Sequence, residues 1–244
     1  MDSKAVFPTL GRSVRTQCMN RDYIVLQVRL SSTRLPGKLL LPLKGITILE
    51  HILIRLKMSR IAAGIIVATT HDTAPHISTI TERYGARTLI GSEEDVLGRF
   101  IAVLRRFRID NVVRATGDNP LVDIDYLDRA LLLHRSSGAD LTTFPLLPYG
   151  TGIEVVRGKV LQRIGRLTSD PFEREHITQY IYRHEGDFHI VRGRPDESMV
   201  RPEVRLTIDT ELDYRRMLGI YENLYQGVPI KVEEALAYLD RAGD

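Results

Sequence analysis

Ten consecutive positions, Arg29 to Lys38 (RLSSTRLPGK), hold three cations, three hydroxyl side chains and a glycine. Cationic donors, hydroxyl donors and accessible backbone N–H groups are the parts that hold a polyphosphate. The Gly-x-x-x-x-Gly-Lys-Ser/Thr spacing of a P-loop is absent. The segment is therefore either a phosphate cradle of another build or a solvated basic loop. Two further polar points stand out, Thr116-Gly117-Asp118-Asn119-Pro120 and Asp209-Thr210. Their aspartates are either turn and helix-cap residues or a converging pair. Converging carboxylates repel each other, and a hard divalent cation with oxygen ligands removes the conflict.

The elements that carry these residues decide between the readings. Tyr23–Val28, Gly64–Thr69, Thr88–Ile90, Asn111–Ala115 and Val204–Ile208 read as strands. Thr47–Met58, Ala74–Tyr84, Asp125–His134, Glu211–Tyr225 and Val232–Arg241 read as helices. Another helix follows Ser92-Glu93-Glu94-Asp95, a capping-box-like start, with Leu97, Phe100, Ile101 and Leu104 on one face. Strands alternating with helices predict an α/β fold with a mainly parallel sheet. In such sheets ligands bind beyond the carboxyl ends of the strands. The basic loop follows the first strand, Asp118 the fourth, and Asp209 the strand at 204–208. That placement favours a phosphate cradle and two carboxylates at one rim. The segment 139–203 holds Pro145, Pro148, Pro171, Pro195 and Pro202 and reads as a lid or dimerisation insertion within a single domain, 23–244. Residues 1–22 read as a flexible arm, with Met19 as an alternative start.

Composition excludes several classes. The 34 Lys plus Arg against 31 Asp plus Glu leave a net charge of +3, too mild to argue for nucleic acid. Cys18 is the sole cysteine, which excludes a disulfide scaffold, a cysteine zinc site and an iron–sulfur cluster. No uncharged apolar stretch is long enough to span a membrane, and Lys4, Arg12, Arg15 and Arg21 interrupt any signal-peptide core. The expected location is a reducing cytoplasm.

Leu26 to Lys38 resembles the signature loop of the CMP-sugar-acid synthetases, the cytidylyltransferase family of CMP-KDO and CMP-acylneuraminate synthetases. Its spore-coat polysaccharide, SpsF-like branch is the nearest in pattern. Gly91-Ser92-Glu93-Glu94-Asp95-Val96-Leu97, Thr116 to Leu121, Pro171-Phe172-Glu173-Arg174-Glu175-His176 and Thr207-Ile208-Asp209-Thr210 agree in order. The resemblance implies a Rossmann-like, three-layer nucleotide-diphosphosugar-transferase fold. It implies CTP as co-substrate, Mg²⁺, an acidic small-molecule acceptor and a homodimer. Matched by position, Arg29, Ser32, Arg34 and Lys38 would hold the triphosphate, and Asp118 and Asp209 the metal. Ser92 and Glu93 fall in the cytosine-reading segment, and Glu154, Arg174 and His176 in the acceptor half. The chain departs from the branch at Gly98, Asn119 and around Glu154, the last bearing on acceptor identity.

Three other features have a bland and a functional reading. His176 is either a helix-end residue or an acceptor contact. Tyr180, Tyr182, Tyr221 and Tyr225 recur at helical spacing and read as packing. Asp123-Ile124-Asp125 offers the Asp-x-Asp metal motif of a glycosyltransferase on the same fold, although it opens a helix. A non-catalytic nucleotide-binding relative is the remaining alternative.

Overall fold

The computed structural model describes residues 21–243. Most of the expected arm and the Met19 start lie outside the described residues; Asp22 already belongs to the first strand. In chain order the elements are β1 (Asp22–Gln27), a hairpin of β2 (Pro42–Leu43) and β3 (Ile46–Thr47), α1 (Ile48–Leu56), β4 (Ile65–Thr70), α2 (Ala74–Arg83), β5 (Arg87–Gly91), α3 (Val96–Phe107), β6 (Asn111–Thr116), α4 (Ile124–Ser137), β7 (Leu141–Thr143), β8 (Glu154–Arg157), α5 (Gly158–Leu167), α6 (Pro171–Glu175), α7 (Gln179–Arg183), β9 (Ile190–Arg192), α8 (Glu211–Leu224) and α9 (Val232–Ala242).

Seven strands form one sheet in the order β5-β4-β1-β6-β8-β7-β9. β5, β4, β1 and β6 run parallel, and β8 is antiparallel to both β6 and β7. Every residue of β4 is buried, as are Ile24, Val25 and Leu26 of β1. Both faces are therefore covered, as a parallel sheet requires. Ile52, Leu127, Ile220 and Leu236 bring α1, α4, α8 and α9 onto one face. Phe100, Val103, Leu161 and Ile181 bring α3, α5 and α7 onto the other. The result is the expected three-layer α/β arrangement.

The strand order sets the site. From β1 the chain moves outward to β4 and β5, then returns across β1 to β6. The direction of winding reverses between β1 and β6, and that crevice is where open α/β sheets bind ligands. Gln27 pairs with Thr116, so both strands end level.

Two expectations change. Segment 139–203, read as irregular, carries β7, β8 and β9 and supplies three of the seven sheet strands. Val204–Ile208 forms no strand: Arg205 makes only an isolated bridge to Tyr149, and Gly150 (φ 96°) follows with its backbone against Leu206 and Thr207.

One buried group gives the fold a pH dependence. His134 of α4 is 2% exposed, with Nδ1 3.0 Å from Thr142 Oγ1 and Nε2 3.1 Å from Asn111 Oδ1. Burial first, then the Arg157 charge, pushes its pKa down to about 4. The unfolded chain thus takes up this proton at a higher pH than the folded one. The stability from neutral His134 is complete above about pH 6.5 and is lost as pH falls toward 4, by roughly 3 kcal/mol in all. Urea unfolding between pH 7 and 4.5 should show this slope, and His134→Gln should flatten it. Equal slopes in both proteins would overturn the assignment.

Candidate active site

The loop between β1 and the hairpin folds back on itself. The carbonyl of Leu30 accepts from the backbone N–H groups of both Ser32 and Gly37, at 2.8 and 3.2 Å. Gly37 takes a left-handed conformation (φ 67°) that starts a single 3₁₀ turn, Lys38–Leu40. Leu39 is buried there and anchors the turn, while Lys38 reaches the rim. The loop after β6 lies against this turn. A Cβ at Gly117 would stand 2.6 Å from Leu39 Cδ2 and 2.9 Å from Val28 Cγ1, so only glycine lets the two loops meet this closely.

Arg29, Ser32, Arg34, Lys38, Asp118 and Asp209 consequently line one cleft of about 570 Å³, together with Glu154 and His176. The two aspartates, 91 positions apart in the chain, converge on one ammonium. Lys38 Nζ is 3.1 Å from Asp209 Oδ1 and 3.7 Å from Asp118 Oδ2, and it donates to the carbonyl of Ile208 at 2.6 Å. The carbonyl of Asp118 accepts from Ile208 N–H at 2.8 Å, tying the segment before Asp209 to the loop after β6. This bond does the positioning that strand pairing was expected to do. Asp118 Oδ1 accepts from Thr116 Oγ1 at 2.5 Å. Arg34 approaches Asp209 Oδ1 at 3.2 Å, and Arg205 holds Oδ2 at 2.5 Å. Arg205 also lies over the Tyr149 ring.

The donor set fits a divalent cation of the hard type. Both aspartates offer oxygen ligands at one rim, and Mg²⁺ ordinarily takes one or two carboxylates and completes its shell with phosphates and water. Among the described residues no group of three His, Cys, Asp or Glu side chains forms a closed protein cage. Nucleotide phosphates would have to supply the remaining ligands.

The other half of the cleft is built on a polar row across the sheet end. Arg114 of β6 pairs in register with Glu154 of β8, and its Nη1 donates to Glu154 Oε2 at 2.9 Å. Tyr182 Oη donates to Glu154 Oε1 at 2.7 Å, and Thr178 Oγ1 donates to Oε2 at 3.1 Å. Tyr182 is therefore more than packing. Burial and the Glu154 charge push its phenol pKa up, which keeps it a hydrogen-bond donor. Arg29 Nη2 meets Glu175 Oε1 at 2.8 Å on the cleft wall. His176 follows on the exposed rim, its ring 4.6 Å from that of Phe172.

Three sequence-selected residues fall outside this lining. Arg174 does not face the cleft: its Nε and Nη2 grip the Asp95 carboxylate at 3.0 and 2.6 Å. Asp95 is the N-cap of α3 and accepts from Gly98 N–H at 2.8 Å, so the cap falls at Asp95 and not at Ser92. A Cβ at position 98 would stand 2.2 Å from Asp95 Oδ2, which accounts for the glycine there. Ser92 accepts from Asp95 N–H, and Glu93 accepts from Ser31 Oγ, both beside the cleft rather than in it. Asp123-Ile124-Asp125 also lies elsewhere. Asp123 is buried and caps α4 through Tyr126 N–H, with burial pushing its pKa up, and Asp125 is exposed on the first helical turn. That removes the Asp-x-Asp metal motif from the site.

Arg114, Glu175, Tyr182 and Arg205 were not singled out as site residues from the chain alone. Arg114 left a signal, since it interrupts the apolar strand Asn111–Thr116. Glu175 lay in the matching segment Pro171–His176, Tyr182 among the spaced tyrosines and Arg205 in the expected strand 204–208, but none of these patterns shows what the side chain meets.

Comparison with known proteins places the chain in a family. A family model described as Cytidylyltransferase matches residues 23–235. The chain is 32% identical over 233 residues to the spore coat polysaccharide biosynthesis protein SpsF of Bacillus subtilis, covering 93% of this chain and 97% of that one. It is similar to the structure of a cytidylyltransferase from Leptospira borgpetersenii, with a TM-score of 0.85, 28% identity and coverage of 92% and 95%. A CMP:2-keto-3-deoxy-manno-octonic acid synthetase complexed with CTP shares the fold at a TM-score of 0.65 and 18% identity, over 83% of this chain and 99% of that one. Among the described residues no helix is long and apolar enough to cross a membrane. With similarity running from the first strand into the last helix, the chain belongs to the cytidylyltransferase family and is a CTP-dependent nucleotidyltransferase.

Proposed function

We propose that this enzyme transfers CMP from CTP to an acidic small-molecule acceptor, a sugar acid or a phosphonate or phosphate, and releases pyrophosphate. The observation that carries the proposal is Lys38, held between Asp118 and Asp209 with Arg34 beside them, at the switch point of the sheet. An acceptor oxygen forms the new bond to the α-phosphorus, and the bond from that phosphorus to the β-phosphate oxygen breaks. Negative charge grows on the departing pyrophosphate. Arg34 and Lys38 meet it from the rim, and Arg29, whose partner in this structure is Glu175, turns to join them. Asp118 and Asp209 would hold Mg²⁺, which when bound neutralises phosphate charge and fixes alignment. An ionised acceptor oxygen needs no base.

With Arg174 committed to Asp95, Arg114 is the cation left to meet an acidic acceptor. It lines the distal half of the cleft, and its Nε has no hydrogen-bond partner among the described residues. Glu154, Thr178 and Tyr182 fix its orientation. A homodimer, a cytoplasmic location and a role in cell-surface glycan synthesis, as the SpsF relative's name suggests, belong to the same proposal.

The test is pyrophosphate release from CTP and Mg²⁺ across a panel of sugar acids, phosphonates and sugar phosphates. Release of a nucleoside diphosphate from an activated sugar would favour a glycosyltransferase instead. Arg34→Lys should lower kcat/KM roughly 10- to 100-fold, because a point charge replaces a planar fork at a charge-assisted contact. Unchanged kinetics would remove Arg34 from the triphosphate site.

A further inference from the structure

Arg99 of α3 is 1% exposed, and none of its three guanidinium nitrogens has a hydrogen-bond partner among the described residues. Its stem passes under the end of β5, where a Cβ at Gly91 would stand 2.7 Å from Arg99 Cγ. A buried cation without a partner is costly, and native proteins rarely keep one without a use. Burial and the nearby Arg29 charge both disfavour its charged form, while Glu93, Asp95 and Glu175 favour it.

Those three carboxylates are not equally available. Asp95 is committed to the α3 cap and to both Arg174 nitrogens. Glu93 is held by the Ser31 hydroxyl. Glu175 is different, because its partner is Arg29, the phosphate-facing cation of the first loop. When Arg29 turns to a triphosphate, Glu175 loses its counter-charge while the Arg99 guanidinium, within reach of its charge, has no hydrogen-bond partner among the described residues.

We propose that Arg99 is a positioning residue that takes over Glu175 when nucleotide draws Arg29 away. The exchange cancels two unpaired charges at once. It also draws the end of α6 inward, and α6 runs directly through His176 into the Thr178–Tyr182 segment that braces Glu154 in the acceptor half. Nucleotide binding thereby sets the acceptor half before the acceptor enters. This inference rests on CTP occupying the cleft, as proposed above.

The experiment is calorimetric binding of CTP with Mg²⁺ and no acceptor, in a two-by-two set of variants. Arg99→Met should weaken CTP about 10-fold in the wild-type background, the size of one charge-assisted hydrogen bond. In the Glu175→Gln background the same substitution should leave CTP affinity unchanged. Arg99→Lys, which keeps a buried charge, should show a smaller loss with the same dependence on Glu175, and it replaces the methionine variant if that fails to fold. Equal losses in both backgrounds would place Arg99 on the nucleotide itself and overturn the hand-over. No loss in the wild-type background would overturn it as well. A wild-type chain that takes up no CTP would overturn the functional reading and the inference with it.

Discussion

Asp118→Asn should leave the enzyme folded and lower its turnover by about 10³-fold, the upper end of what one electrostatic contact to a reacting phosphate supplies. Asp118 is on the loop after β6, and its side chain keeps 29% of its surface exposed. No core packing depends on it. Asparagine can still accept from Thr116 Oγ1 and leaves the backbone bond to Ile208 in place. What it removes is one of the two negative charges that face Lys38, and with it half of the candidate metal site. Circular dichroism and thermal unfolding should match wild type, while pyrophosphate release collapses and the Mg²⁺ concentration for half-maximal rate rises. Retention of the wild-type rate would refute the role given to this carboxylate.

Lys38→Met should cost about 10²–10³ in kcat and, unlike Asp118→Asn, should also destabilise the fold, by roughly 1–3 kcal/mol. Lys38 is only 12% exposed, and it ties the first loop to the Asp209 segment through an ion pair and a bond to the Ile208 carbonyl. Methionine fills a similar volume but leaves Asp118 and Asp209 facing each other without the ammonium between them. Divalent cation should then restore stability. Millimolar Mg²⁺ should raise the thermal midpoint of Lys38→Met more than that of wild type, because the vacated position lies between two oxygen donors. The readout needs no turnover, so it separates metal binding from catalysis. If Mg²⁺ leaves the variant's midpoint unmoved, the two carboxylates do not form a cation site.

The parts of this enzyme written in local sequence are those whose cause is local. The apolar runs at 23–28, 64–69 and 111–115 marked three parallel strands within a residue or two of their ends, because burial on both faces demands near-continuous apolar residues. The alternation with amphipathic helices fixed the α/β class. The first loop stood out by composition, which left two readings open, and its position after the first strand, like those of Asp118 and Asp209 after expected strands, placed it at the rim. The second of those expectations put Asp209 at the rim by an incomplete route: 204–208 is not a strand, and the bond from Ile208 N–H to the Asp118 carbonyl brings Asp209 there instead. Arg174 shows the converse. Its neighbours looked like an acceptor site, but a guanidinium takes the best carboxylate within reach, and that was Asp95, 79 positions earlier.

Chain order alone therefore determined which cations, hydroxyls and carboxylates stand at the ends of expected strands. Tertiary structure decided which of them share a cleft, since ion pairs form between groups that folding brings within a few ångströms regardless of their distance along the chain. It made Lys38 the hub of the two aspartates and built the far half of the cleft around the Arg114–Glu154 pair braced by Tyr182. It also left Arg99 buried with no hydrogen-bond partner among the described residues, a fact about three-dimensional neighbours that no one-dimensional pattern carries.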